Sequence, residues 1–170
     1  MESLQFRKAT ADELPFIWEI LKQAISRRKK DGSNQWQDGY PNPTVIEGDI
    51  AKGCGFVLLE GNTIVGYTAI LINDEPEYAR LEGEWLSNED FVVFHRVAIS
   101  QEHLGKGLAK KMFLHIENFA KQHKINSVKA DTNFDNPAML ALFDKLGYRY
   151  CGQVYFRGSP RKAYEKLLQL

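Results

Sequence analysis

The sequence predicts a mixed α/β fold: a twisted mixed sheet of about six to seven strands, flanked by about four helices. Three observations point to it. Short apolar or alternating runs recur along the chain, separated by segments whose apolar residues fall at helical spacing. A turn signal, Gly61-Asn62, joins two such runs as a hairpin. An apolar strand, Phe91 to Ile99, leads through a short loop into Gly105-Lys106-Gly107 and at once into a helix.

Each element has its own local reason. Leu4 to Ala9 alternates as a first strand. Thr10 followed three residues later by Glu13 is a capping-box pattern. It opens a helix with Leu14, Ile17, Trp18, Leu21, Ala24 and Ile25 on one stripe, ending near Arg27-Arg28-Lys29-Lys30 and Asp31-Gly32. A polar, aromatic stretch from Asn34 to Pro41 precedes a short helix from about Thr44 to Ala51. Phe56–Glu60 and Thr63–Ile72 are the hairpin strands, and Phe91 to Ile99 is rich in β-branched residues. Leu108, Met112, Phe113, Ile116 and Phe119 stripe the helix after Gly107. Val128 to Thr132 is a strand. Pro137 to Leu146 is a helix with Asn136 as cap and Gly147 as terminator. Tyr148–Phe156 and Ala163–Leu168 close the chain as strands.

Composition bounds the function. A length of 170 residues suits a single domain, residues 1–170, with a real core. Lys plus Arg (22) equals Asp plus Glu (22), so no global field recruits nucleic acid or an anionic membrane. Met1 to Lys8 lacks the apolar core of a signal peptide, and no run is long enough to span a bilayer. Two cysteines, Cys54 and Cys151, make neither a disulfide framework nor a metal knuckle. The expectation is a cytoplasmic bacterial protein with reduced thiols, no metal and no nucleic-acid or membrane partner.

The glycine loop is the main chemical landmark. Glycine allows positive φ and close backbone approach. The first amides of the following helix lack intrahelical partners and carry partial positive charge, which suits a phosphate or pyrophosphate. A dinucleotide site of the Rossmann type would place a third glycine where Lys110 stands, and too little chain follows for a doubly wound sheet. A P-loop is excluded because Gly-x-x-x-x-Gly-Lys-Ser/Thr is absent.

A second landmark, Asn136-Pro137-Ala138-Met139-Leu140-Ala141-Leu142-Phe143-Asp144-Lys145-Leu146-Gly147-Tyr148, resembles the Asn…Leu-Tyr-x-Lys-x-Gly-Phe signature of the GNAT N-acetyltransferase superfamily. The glycine loop is similar to that superfamily's Gln/Arg-x-x-Gly-x-Gly/Ala motif, with Gly107 and Ala109 in the small-residue positions. Both motifs, their order and the strand between them match. Gln35–Pro41, His95–Ala98 and Asp131–Asn136 also resemble segments of a bacterial subgroup, a resemblance that names no acceptor.

The resemblance implies a GNAT-type sheet splayed where the fourth and fifth strands part, with acetyl-CoA as co-substrate in the cleft. Amides of Leu104, Gly105, Lys106, Gly107, Leu108 and Ala109 would cradle the pyrophosphate. Main chain of Val97, Ala98 and Ile99 would pair with the pantetheine arm like an added strand. Asn136 would hydrogen-bond the arm, while Lys106, Lys110 and Lys145 would add charge near the phosphates. Two positions depart from the pattern. Leu104 replaces a polar residue without disturbing the backbone cradle. Phe143, in the cofactor-facing helix, replaces the Tyr that protonates the leaving thiolate.

The chemistry so implied is aminolysis of a thioester. An amine of pKa about 10 needs a base, directly or through water. Period-two alternation places Val93, His95, Val97 and Ile99 on one strand face, which makes His95 the candidate base. Asp131 and Glu84 are alternatives, and Tyr155 or Tyr148 could supply the acid that Phe143 lacks. Trp36, Tyr40 and Trp85 are loop aromatics that could close over an acceptor, or cap the edge of the core. Asp38, Asp131 and Glu84 could attract a cationic amine. Three functional classes follow: an N-acetyltransferase acting on a primary amine of a small molecule or peptide, a catalytically silent acyl-CoA sensor, or a protein N-acetyltransferase. A homodimer through the terminal strands is compatible with all three.

Overall fold

The computed structural model describes residues 3–169; residues 1, 2 and 170 lie outside the described set. The chain divides into two compact units. One runs to Ile70 and takes in Arg96–His115; the other comprises Leu71–His95 and the chain from Ile116 onward.

In the first unit, β1 (Leu4–Lys8), β2 (Gly55–Glu60) and β3 (Thr63–Ile72) form an antiparallel meander. The turn at Gly61-Asn62 sets its register, with Glu60 opposite Thr63, and the pairing shifts between Leu58 and Leu59. The capping box forms as expected: the Thr10 amide donates to Glu13 Oε1 at 2.8 Å. The same carboxylate accepts two bonds from Arg7, at 3.0 and 2.8 Å. Helix α1 (Leu14–Lys30) follows, then α2 (Pro43–Ala51), capped by Asn42 Oδ1 accepting from the Val45 amide at 3.0 Å. Ile17, Leu21 and Ala24 of α1 and Ile46 of α2 are fully buried and pack against Val57, Tyr67 and Ala98. The amide of Ser100 donates to Val65 O at 2.8 Å, which sets the end of β5 (Val92–Ile99) beside β3. Helix α3 (Leu108–Gln122) begins in this unit.

In the second unit the strand order is β5-β6-β8-β7-β4, built from the start of β5, β6 (Ser127–Asn133), β8 (Ser159–Leu167), β7 (Arg149–Phe156) and β4 (Glu82–Gly83). Helix α4 (Pro137–Lys145) connects β6 to β7. Strands β5 and β6 are parallel and paired through Val92–Val128 and Val93–Lys129. The remaining pairs are antiparallel.

Among the described residues, four helices match the expectation, but the strands number eight rather than six to seven. The added strand, β4, is two residues long and pairs with β7 through Gly83 and Gly152. Both glycines lie at strongly positive φ, 149° and 145°, and a Cβ on either would collide with main chain of the opposing strand. So short a strand has no alternation to read. Strand β8 also begins at Ser159, four residues ahead of the expected Ala163. Proline lacks a ladder donor, and Pro160 falls just beyond the β6 ladder, which ends at Arg161–Asn133. Among the described residues, no helix is long and apolar enough to cross a membrane.

Candidate active site

Strand β5 passes from the second unit into the first between His95 and Arg96, and both residues carry polar networks. Arg96 sits at φ 58°, the left-handed region, inside a strand. That conformation costs a non-glycine residue about 1–2 kcal/mol, so the surroundings must hold it. Arg96 Nε and Nη2 donate to both oxygens of buried Asp49, at 2.9 and 2.6 Å, and Nη1 donates to the Tyr40 hydroxyl. Tyr67 donates to Asp49 Oδ2 at 2.7 Å. Burial lowers the Arg96 pKa, but Tyr40 and Asp49 more than offset it and leave it raised.

This kink corrects one expectation. A left-handed residue breaks period two, so the face shared by Val93 and His95 is not handed on to Val97 and Ile99.

In the second unit, His95 Nε2 is 2.9 Å from Glu75 Oε2, and its Nδ1 is 3.9 Å from Asp131 Oδ1. Tyr78 donates its hydroxyl to that same Asp131 oxygen at 2.6 Å. Burial, then the Asp131 charge, pushes the Tyr78 phenol well above its ordinary value, so it stays a donor. Arg161 Nη1 approaches Asp131 Oδ2 at 3.9 Å. The rings of Tyr78 and Phe156 stand 6.5 and 6.4 Å from the imidazole. Both ring nitrogens face a carboxylate, and a carboxylate only accepts; Glu75 is the nearer, at 2.9 Å against 3.9 Å, which favours the proton of a neutral His95 on Nε2. A cavity of about 360 Å³ adjoins this cluster and shares Glu75 and Tyr78 with it. Trp85, Phe91 and Lys129 are among the other residues of its wall. The Lys129 ammonium lies 4.3 and 4.2 Å over the Trp85 and Phe91 rings, and burial lowers its pKa.

The glycine loop belongs to the first unit. After the short turn Gln101–His103, Leu104, Gly105, Lys106 and Gly107 are exposed. Gly105 and Gly107 take φ of 78° and 72°, and a Cβ on either would meet nothing within 4 Å. Backbone geometry alone therefore demands glycine here, and the space above the loop is open. Leu108 is buried and anchors α3, while Ala109 is half-buried. These residues fit a pyrophosphate cradle: two glycines expose main chain at a helix start.

The remaining candidates divide plainly. Val97, Ala98 and Ile99 are buried side chains of β5. The carbonyl of Ile99 accepts from Arg27 Nη2 at 3.0 Å, so one main-chain group expected to meet a ligand has a partner already. Asn136 caps α4, with Oδ1 accepting from the Met139 amide at 3.2 Å. Lys145 is exposed at the C-terminal end of that helix.

Phe143 is 1 % exposed and packs at 4.6 and 5.4 Å from the rings of Tyr164 and Tyr148. That is a core position, which corrects its assignment as a cofactor contact. Trp36 is also corrected: it is 5 % exposed and lies in the α1 core beneath the Arg28 guanidinium, 3.8 Å from its ring. It is a core residue rather than a lid. Burial holds that guanidinium down at about 10.

Tyr40 is half-buried and bonded to Arg96. Trp85 donates its indole N–H to Tyr78 O at 2.9 Å. Glu84 is exposed, contributing a main-chain bond to Cys151. Tyr155 is exposed and tied to the Gln153 side chain at 3.4 Å, with hydrogen bonding to Glu82 raising its pKa. Tyr148 donates to Glu117 at 3.1 Å, and burial raises its pKa well above normal. A phenol so held is a poor acid.

Glu75, Tyr78 and Arg161 were not among the sequence candidates. Glu75 and Tyr78 fall in an irregular segment twenty and seventeen residues ahead of His95, and no local pattern ties them to it. Arg161 lay outside the expected strand because Pro160 shortened it.

The fold is one that acyl-transferring enzymes share. The sequence profile described as the acetyltransferase (GNAT) family matches residues 16–148. An acetyltransferase of the GNAT family from Streptococcus agalactiae is 36% identical, covers 98% of this chain and 96% of its own, and superposes with a TM-score of 0.89. The uncharacterized N-acetyltransferase YesJ of Bacillus subtilis is 24% identical over 85% of this chain and 81% of its own length. YncA of Salmonella typhimurium, solved with its cofactor acetyl-CoA, shares the fold at a TM-score of 0.67 with 18% identity over 98% of this chain and 94% of its own. The chain belongs to the GNAT family of acetyltransferases.

Proposed function

We propose that the protein is an acetyl-CoA-dependent N-acetyltransferase that acetylates a primary amine of a small molecule or peptide by direct attack. The observation that carries this reading is the His95–Glu75–Asp131 cluster, one residue from the kink at Arg96. The acetyl-CoA bound by a structural neighbour and the open glycine loop support the choice of donor.

Acetyl-CoA supplies an acetyl thioester, whose carbonyl carbon takes the new C–N bond as its C–S bond breaks. Amides of Gly105 to Ala109 would hold its pyrophosphate. His95 Nδ1 takes the proton shed by the attacking nitrogen, and Glu75 on Nε2 stabilises the imidazolium that results. A thiolate leaving group of pKa about 8.5 departs readily near neutrality, so Phe143 in place of an acid is tolerable. A covalent acyl-cysteine route is disfavoured: Cys151 is buried, donates to Arg149 O at 3.4 Å, and has its pKa raised by burial.

A second reading, a silent acyl-CoA sensor, is favoured by Phe143 alone. Incubation with acetyl-CoA and an amine panel, reading released thiol, separates the two. Acceptor-dependent thiol release is the expected result. Calorimetric acetyl-CoA binding without release from any acceptor would establish the sensor instead.

A further inference from the structure

We propose that the acceptor is an amino-carboxylic acid, and that Arg161 is the residue that holds its carboxylate. This rests on the acetyl-transfer reading and adds the substrate class to it. The Arg161 side chain is only 10% exposed. Its Nε is buried with no hydrogen-bond partner among the described residues. Its ion-pair contact with Asp131 stands at 3.9 Å, beyond hydrogen-bond reach. The Phe156 ring centre lies 5.5 Å from its Cζ. Arginine carries five donors in a planar fork, and a buried charge this poorly matched is costly.

Arg28 also has a buried, unpartnered Nε, but its Nη1 donates to the Ala24 carbonyl at 3.3 Å and its plane covers Trp36. Arg161 differs by its company. One Asp131 oxygen faces His95 Nδ1 and the other faces Arg161, so the proposed base and the Arg161 guanidinium flank a single carboxylate. An acceptor with its amine at His95 would therefore present its far end to the fork. A carboxylate matches that fork with two charge-assisted bonds. It would also balance Arg161, while the incoming ammonium balances Glu75 and Asp131. Proton removal by His95 then leaves the carboxylate end anchored throughout.

The test pairs each amino acid with its C-terminal amide and its decarboxylated amine, using α-, β- and γ-amino acids to vary the spacing. Thiol release is measured for wild type, Arg161→Gln and Arg161→Lys. Wild type should favour the acid over its amide by tenfold or more in kcat/KM. Arg161→Gln should cut that ratio by roughly tenfold to a hundredfold, with Arg161→Lys intermediate.

Turnover of amides and simple amines in preference to acids would overturn the carboxylate assignment and leave acetyl transfer standing. So would an unchanged ratio in Arg161→Gln. Thiol release from no acceptor would sink the transfer reading. The Arg161 assignment would then be decided by thermal shift with the same acids: a rise in wild type, absent from a folded Arg161→Gln or Arg161→Lys, sustains it, and no difference overturns it.

Discussion

Glu75 Oε2 lies 2.9 Å from His95 Nε2, across twenty residues of sequence. This contact orients the imidazole and favours the tautomer protonated on Nε2, and it makes Glu75 a positioning residue for the proposed base. His95→Ala should lower kcat/KM by ~10²–10⁴-fold, the usual worth of a positioned base, with acetyl-CoA affinity nearly unchanged. Glu75→Gln replaces a charge-assisted bond with a neutral one and should cost about fivefold to tenfold in kcat, with little change in KM. An active His95→Ala enzyme would remove His95 from the mechanism.

The Arg96–Asp49 pair should matter to folding more than to chemistry. Removing Asp49 leaves a largely buried guanidinium in a left-handed backbone without its ion-pair partner. Asp49→Ala should destabilise by about 3–5 kcal/mol, and Asp49→Ala with Arg96→Met by less, because the orphaned charge goes too. Urea midpoints at constant m-value would measure this. A double variant no more stable than Asp49→Ala would contradict it.

Trp36 shows where sequence reading fell short. A loop aromatic among Asn, Gln and Asp looks poised for a ligand, yet Trp36 is buried on α1 under Arg28. Trp36→Ala should therefore lower stability by about 3–5 kcal/mol, as truncation of a buried tryptophan does. The acceptor KM should stay near wild type at temperatures where the variant is folded. A raised KM with an unchanged melting temperature would restore the lid.

What the sequence made legible were features that local patterns encode. The capping box at Thr10–Glu13, the Gly61-Asn62 hairpin, the Asn136 cap and the glycines before α3 each announce themselves within a few residues. His95 could be singled out because a lone histidine in an apolar strand is conspicuous. Asp131 stood out only as a separate candidate, and Glu75 not at all, since both reach His95 through tertiary folding. Arg96 was hidden for a related reason: nothing in Phe-His-Arg-Val signals a left-handed residue, which here is held by contacts from Tyr40 and Asp49.

The Arg7–Glu13 pair predicts an acid limb in stability. The Arg7 hydrogen bonds hold the Glu13 carboxyl down at about 2. Because the folded pKa is depressed, the contribution is full above the unfolded value of about 4.3 and is lost as pH falls toward 2. Arg7 is about a third exposed, so screening reduces the effect to about 1–2 kcal/mol. Arg7→Met should flatten this part of the stability curve between pH 5 and 2, roughly the window those two values set. An identical acid limb in the variant would assign it to other carboxylates.

The glycine loop allows a test in which backbone strain and ligand contact are separated. Gly107 has φ of 72° and open space where a Cβ would stand; Gly158, in the β7–β8 turn, has φ of 77° and equally open space. A side chain at either position costs about 1–2 kcal/mol in backbone strain. Only Gly107 begins a helix whose first amides are proposed to hold a pyrophosphate. Gly107→Val and Gly158→Val should thus lose similar stability, while only Gly107→Val weakens acetyl-CoA binding, by tenfold or more in calorimetric Kd. Leu104→Ala, on an exposed side chain ahead of the loop, should leave Kd within about twofold, because the cradle is main chain. Equal Kd for the two valine variants would move the pyrophosphate away from the loop.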